Sequence, residues 1–412
     1  MEKKISRQAI SIVWGGAISF VVAMGFARFA FTPLLPMMLH DHVIDLQGGT
    51  FLASIHYIGY LLGASTCVLL PWLLSHYKIR IPSHSAIIRY SLLVTVLLIF
   101  GMALPFPWLW PACRFLTGIS TAFAFVYTSG WSLERLAQLQ ALSLSGLIYT
   151  GPGIGIVLSG MISILMIFFH FSSSAAWLGF SVIAAFMIAA VWKTFHGDLM
   201  KHSSITETRD LLIPVPEMWT LESIFLIIAY GLAGFGYIIT ATFLPVIAHE
   251  VIPKSAWIDY LWPIFGVSVV IGALITKKIP HGADRRSVLF FIYIMQLTGV
   301  LMPLGFPSQG GFLLGIILVG FPFNIISLLG MQEARRLRPQ ESTTLMGLLS
   351  AMYGLGQILG PSVASYFLSH SKSHAQAFSF SLMTAAASLG VGAFFFLLMR
   401  CLFPIKAIVS HD

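Results

Sequence analysis

The feature that most constrains this chain is a series of long, nearly uncharged apolar stretches. Twelve of them, at about 10–39, 50–74, 86–105, 108–131, 141–169, 175–195, 219–248, 256–276, 287–306, 310–331, 341–368 and 376–403, are each long enough to cross a bilayer, which takes roughly 20 mostly apolar residues. In lipid each has to be a helix, because an open sheet edge would leave backbone N–H and C=O groups without partners. Only 9% of the residues are charged and 57% are hydrophobic, whereas soluble domains carry about 25% charged residues. A soluble enzyme, a nucleic-acid-binding domain and a disordered chain are therefore excluded. The expected class is an all-α membrane protein of twelve transmembrane helices, with the lipid bilayer as its first partner. The first apolar run extends from Ala9 to Leu39, too long for the core of a signal peptide and without a small-residue cleavage site, so it reads as a retained span.

The formal net charge of +8 would suggest nucleic acid in a soluble protein. Here Lys and Arg sit in short connections between apolar runs, where they set orientation. With the N-terminus inside, 19 of the 23 Lys and Arg fall on the cytoplasmic side, only Lys254 and Lys372 fall outside, and Arg28 and Arg114 lie within spans. Both termini are expected in the cytoplasm, in a bacterial inner membrane. Trp72, Trp108, Trp110, Trp131, Trp192, Trp219 and Trp257 lie near span ends, as an interfacial belt does. One connection is long and polar, and it divides the spans six and six. The expected organisation is a six-helix bundle over 1–196, a cytoplasmic linker over 197–218 and a second bundle over 219–412. Cys67, Cys113 and Cys401 lie in apolar stretches without regular spacing, so no disulfide framework or zinc site is implied.

The two halves carry an internal repeat. At an offset of 209 residues, Gly25-Phe26 aligns with Gly234-Phe235, Leu35-Pro36 with Leu244-Pro245, and His40-Asp41 with His249-Glu250. Gly63-Ala64 likewise aligns with Gly272-Ala273, and Gly151-Pro152 with Gly360-Pro361. Six-span halves of the same orientation are parallel repeats, one route to alternating access around a midplane site.

With this repeat in place the chain resembles the major facilitator superfamily over all twelve spans. Arg114-x3-Gly118 is similar to the family's span-4 arginine motif. GLIYTGPGIGIVLSG in span 5 looks like the GPxxG motif common among its exchangers. Gly282-Ala283-Asp284-Arg285-Arg286 partly matches its acidic-basic loop motif. The corresponding loop of the first half, with Ser75-His76-Tyr77 opposite Asp284-Arg285-Arg286, departs from the pattern and lacks the loop aspartate. GFARFAFTPLLP and HYIGYLLGA are similar to the YbfB/YjiJ-like branch. The resemblance implies two six-helix parallel repeats, a small-molecule substrate, a monomer and rocker-type alternating access. The GPxxG element tilts it towards export or exchange.

Ionisable groups deep in a span are costly and are functional candidates by default. Arg28 lies twelve residues before His40, about 18 Å along a straight helix, and Arg114 six residues past Trp108, about 9 Å in. His56 lies six residues into span 2. No carboxylate lies in the middle of any span; Asp41, Asp45 and Asp259 are near outer ends and Glu222 is a turn into span 7. Guanidinium keeps its charge and suits carboxylate or phosphate. Two readings follow: an anionic substrate is the partner, or each Arg bonds helix carbonyls and polar side chains and fixes spans 1 and 4. For Arg28 both stay open; for Arg114 the helix-fixing role is preferred. For His56 a neutral hydrogen-bonding role between helices is the preferred reading, and the residue is also the best single proton-coupling candidate, since an unperturbed histidine titrates near pH 6.5. Tyr149, Tyr237, Asn324, Tyr353 and Gln357 are further substrate-binding candidates, with Tyr57 and Tyr127 as other polar aromatics in the spans. Tyr237 is the repeat mate of Arg28.

Pro152 cannot donate to the carbonyl of Ile148, so span 5 should kink or loosen there. Gly151, Gly153 and Gly155 allow close helix approach. Gly356, Gly360 and Pro361 repeat the arrangement in span 11. Gly151, Pro152, Gly155, Gly360 and Pro361 are the expected flex points. His40-Asp41-His42 with Asp45 has metal-like spacing but sits at an outer span end, where a solvated loop is the plainer reading. No metal, cofactor or nucleic-acid partner is implied. GxxxxGK[ST] is absent, which argues against direct ATP drive, and no catalytic constellation lies in the spans. The expected function is secondary active transport of a small organic anion or zwitterion; the alternative is a non-transporting membrane sensor or assembly partner of the same fold.

Overall fold

The apolar stretches become helices whose starts are set by short polar side chains. Ser6, Asp45, Ser83, Ser172, Asp284, Ser308 and Ser373 each accept a hydrogen bond from a backbone N–H two or three residues on. These are N-caps, which satisfy donors that a helix end leaves orphaned. Asp41 reaches from the end of the first helix to the Ser173 N–H at the start of the sixth, at 2.6 Å. Asp41 and Asp45 of the metal-like tetrad thus have backbone partners.

The structure, a computed structural model, describes residues 6–77, 82–195, 220–251, 260–280 and 282–404. The linker expected over 197–218 lies outside the described residues, as do Lys3, Lys4, Lys78, Arg80, Lys201, Arg209, Lys254 and Lys406 of the orientation argument. Twelve long helices follow in chain order: α1 (Arg7–His40), α2 (Leu46–His76), α3 (His84–Ala103), α4 (Trp110–Gln138), α5 (Leu142–Phe168), α6 (Ser173–Val191), α7 (Leu221–Val251), α8 (Leu261–Ile275), α9 (Arg285–Gly305), α10 (Gln309–Leu337), α11 (Ser342–His370) and α12 (His374–Leu402). Among the described residues eleven are long and apolar enough to cross a membrane. The other, α11, is as long, but its serine, threonine, tyrosine and glutamine residues dilute its hydropathy.

Helix neighbours recur between the halves. In the first half α1 packs on α5, α2 on α4, α3 on α4 and α3 on α6; in the second α7 packs on α11, α8 on α10, α9 on α10 and α9 on α12. Glycines permit the closest of these contacts. A Cβ on Gly63 would stand 2.7 Å from the Ile119 carbonyl oxygen, and one on its repeat mate Gly272 would stand 2.0 Å from the Phe321 carbonyl oxygen. The halves meet chiefly through α2 on α11 and α5 on α8.

Alternation of direction brings the N-terminal ends of the odd helices to one side, with Arg135, Lys193, Lys277, Lys278, Arg285, Arg336 and Arg338 at or near it. We term this the basic end and the opposite one the far end. Two helices depart from regular geometry. Val21–Phe29 of α1 has π-helical hydrogen bonding. In α5 the helix breaks at Tyr149, leaving a four-residue turn, Ser145–Ile148, before Thr150–Phe168. The break lies three residues before Pro152, where the missing donor to Ile148 calls for it. Pro361, by contrast, leaves α11 continuous.

Candidate functional site

The irregular part of α1 prepares the site. Ala30 N–H reaches back five residues to the Gly25 carbonyl at 2.9 Å, and Leu34 N–H four residues to the Ala30 carbonyl at 3.1 Å. The carbonyls of residues 26–29 then face only the N–H groups of Phe31 and Thr32, because Pro33 has none. The Arg114 guanidinium of α4 fills part of that deficit, donating to the Ala27 carbonyl at 2.8 Å and to the Leu52 carbonyl of α2 at 3.4 Å. It also stacks over Phe31, 4.5 Å from the ring centre. Arg114 thereby ties α1, α2 and α4 together.

Arg28, on the last π-helical turn, has a different environment. It is 5% exposed. Nη2 donates to Oε1 of Gln357 on α11, across the boundary between the halves. Nη1 points at the Met24 sulfur, 3.9 Å away, a weak acceptor. Nε has no hydrogen-bond partner. The guanidinium lies over the rings of Tyr60, Phe29 and Tyr57 at 4.8, 5.2 and 5.5 Å. Among the described residues no carboxylate pairs with Arg28 or Arg114.

Arg28 borders a small cavity between the halves, lined also by Met24, Phe29, Tyr60, Phe125 and Pro152 from the first half and Tyr230, Phe323, Asn324, Ser327, Ser350 and Tyr353 from the second. The sequence candidates Arg28, Asn324 and Tyr353 therefore converge there, with Pro152. Gln357 sits against Arg28. Tyr149 and Tyr237 form the layer behind the wall. Tyr149 packs against Phe125 and donates to Ser129 at 2.9 Å. Tyr237 lies 4.5 Å from the Phe323 ring. Asn324 Nδ2 donates to the Tyr149 carbonyl, a second link across the halves at the break in α5. Arg114 does not line the cavity, and neither does His56. His56 is fully buried beside Tyr57, and neither ring nitrogen makes a well-formed hydrogen bond.

Sequence reasoning missed Met24, Phe29, Tyr60, Phe125, Tyr230, Phe323, Ser327 and Ser350. The signal for several was helical spacing: Tyr60 is four residues beyond His56, Met24 is four before Arg28, and Ser350, Tyr353 and Gln357 stand at i, i+3 and i+7 on α11.

At the basic end the loop motif is the hub of an ion network in the second half. Arg286 is fully buried and donates through Nε and Nη2 to the two carboxylate oxygens of Asp284, at 2.9 and 2.8 Å. Its Nη1 donates to Glu222 on α7 at 3.2 Å, and to the Met399 and Phe403 carbonyls at the end of α12 at 3.0 and 2.5 Å. Arg336 bridges Glu222 and Glu333, and Arg285 reaches Gln332 at 2.9 Å and Glu333 at 3.5 Å. Gln332 in turn donates to Ser145 of the first half at 2.9 Å. Burial pushes the Asp284 carboxyl up, but the Arg286 side chain and backbone N–H outweigh it and hold the group below its ordinary value. The first half departs from this arrangement: at the 209-residue offset Glu222 corresponds to Val13, and Asp284-Arg285-Arg286 to Ser75-His76-Tyr77, which lack the acid.

A twelve-helix chain, repeated six and six around a cavity shared by both halves, is the setting in which the comparison with known families decides. Residues 20–397 match the family model described as "Uncharacterised MFS-type transporter YbfB". The chain belongs to that family. It is thus a multi-pass membrane protein of the major facilitator type, from a family of transporters rather than enzymes, with a small molecule as its substrate. No curated protein matches the chain. Membership in the YbfB family gives architecture and transport class, and leaves the substrate to be argued from the cavity.

Proposed function

We propose that the protein is a secondary active transporter of a small organic anion, which binds in the cavity between the halves and is moved by rocker-type alternating access. The observation that carries this reading is Arg28: a buried guanidinium at a cavity wall, with Nε unsatisfied and no carboxylate among the lining residues. A permanently charged group in that position is costly unless an opposite charge arrives. The organisation that goes with it is two bundles, 1–196 and 219–412, joined by a linker over 197–218, in a bacterial inner membrane with the basic end and both termini in the cytoplasm, as the charge bias favours. The GPxxG element favours export or exchange as the direction. Gly151, Pro152, Gly155, Gly360 and Pro361 act as the flex points of α5 and α11, and Arg114 holds helices.

The test is a thermal-shift screen of the purified protein against carboxylates, phosphates, amino acids, sugars and cationic drugs, followed by flux in proteoliposomes with whichever compound binds. Organic anions are expected to raise the melting temperature by mass action, and Arg28→Gln, still folded, should lose the response. Stabilisation by neutral or cationic compounds alone, or an equal anion response in the variant, would overturn the reading.

His56 is the candidate proton carrier, being an imidazole buried within the first half beside Tyr57. His56→Gln should keep anion binding but lose flux driven by an imposed pH gradient. Gradient-driven flux at the wild-type rate in that variant would remove His56 from the coupling path.

A further inference from the structure

We propose, resting on the anion reading above, that Gln357 is a charge-sparing anchor for Arg28, and that the two residues suit the site to a ring monocarboxylate. Gln357 is fully buried, and its Oε1 accepts from Arg28 Nη2 across the halves. An amide oxygen orients the guanidinium without cancelling its charge. A glutamate in the same place would do both, because it has nearly the same shape and would complete a buried ion pair. The glutamine therefore keeps one full positive charge available at the cavity.

The hydrogen-bonding inventory points the same way. Arg28 Nε and Gln357 Nε2 are both buried donors without acceptors, and Arg28 Nη1 faces the Met24 sulfur, a weak acceptor. Asn324 Nδ2 is already engaged by the Tyr149 carbonyl. A ligand has to bring acceptors and one negative charge. A second negative charge would find no cation among the lining residues and would be stranded in a low-dielectric site. The rest of the ligand meets aromatic walls, with Phe29, Tyr60, Phe125, Tyr230, Phe323 and Tyr353 bordering the space. Such walls favour a flat apolar body. The anchor spans α1 and α11, so a carboxylate on Arg28 is registered by both halves at once.

The experiment uses the full-length purified protein, with benzoate, its neutral isostere benzamide and the dianion phthalate as probes, read by thermal shift and by direct titration. Wild type is expected to bind benzoate more tightly than benzamide or phthalate by roughly tenfold or more. Gln357→Glu should melt no lower than wild type without ligand yet lose most of its benzoate affinity, whereas Gln357→Met, which removes the orienting oxygen but leaves the charge, should lose distinctly less. Wild-type benzoate affinity in Gln357→Glu, or equal loss in the glutamate and methionine variants, would overturn the charge-sparing role. If Gln357→Glu fails to fold, the wild-type preference for benzoate over phthalate and the Gln357→Met response decide the matter. Stabilisation by other organic anions, lost in Arg28→Gln but without any benzoate response, would discard the ring monocarboxylate and leave the anion reading standing. Benzoate binding unchanged in Arg28→Gln would discard the anion reading itself.

Discussion

Replacing Arg286 by glutamine should be among the most damaging single changes in this protein. The guanidinium is the fully buried junction of Asp284, Glu222 and the last carbonyls of α12. Removing one partner of a buried ion pair costs about 3–5 kcal/mol, because the carboxylates left behind keep their desolvation without compensation. The expected result is loss of the monodisperse peak on size-exclusion chromatography, or a fall of many degrees in melting temperature. Arg286→Lys should be intermediate, since a single ammonium cannot reproduce the two-pronged contact with Asp284. A glutamine variant that melts with the wild type would show that the network contributes little. The same network makes the basic end acid-sensitive. The Asp284 carboxyl is held below its ordinary value of 3.8 in the folded protein. Its contribution is therefore fully present above that value and disappears as the pH falls through the lowered one. Acid destabilisation from this group is confined to below about pH 4 and should be blunted in Asp284→Asn.

The second large effect is steric. Gly155 and Gly25 bring α5 and α1 into backbone contact, and a Cβ on Gly155 would stand 2.4 Å from the Gly25 Cα. Backbone atoms cannot rotate aside as a side-chain tip can. Gly155→Ala should therefore cost about 1–3 kcal/mol, the usual range for overpacking, and Gly155→Leu should prevent the first half from assembling. The readout is melting temperature and the yield of folded protein. If Gly155→Ala melts with the wild type, α1 and α5 have room to separate and the contact is not a constraint.

The architecture was legible because it is written in composition and period. Twenty-residue apolar runs, the 209-residue offset and the bias of Lys and Arg are properties of single segments or of two aligned ones. Arg28, Asn324 and Tyr353 were also legible as cavity residues, since polar groups deep in spans have few places to go. Three features were not. The π-helical turn of α1 rests on a hydrogen-bond shift near Pro33 that hydropathy does not encode. Tyr60, Tyr230 and Phe323 read as ordinary core residues until the helices are placed. The ion network draws on residues 222, 284–286, 333–336 and 399–403, and those separations carry no sequence signal. Glu333 in particular looks like the charged end of α10, yet it is completely buried between Arg285 and Arg336.

The break at Tyr149 gives α5 two allegiances. Its first turn touches both halves: Ile148 lies against Gly16 of α1, while Gln332 holds Ser145 at 2.9 Å and Gly146 lies against Thr276 and the Ala273 carbonyl. Its main body does likewise, pressed on α1 through Gly151 and Gly155 and on α8 through Gly153 and Gly160. At the joint between these pieces Asn324 of the second half holds the Tyr149 carbonyl. The one discontinuity in α5 therefore sits where side chains from both halves converge on a single residue.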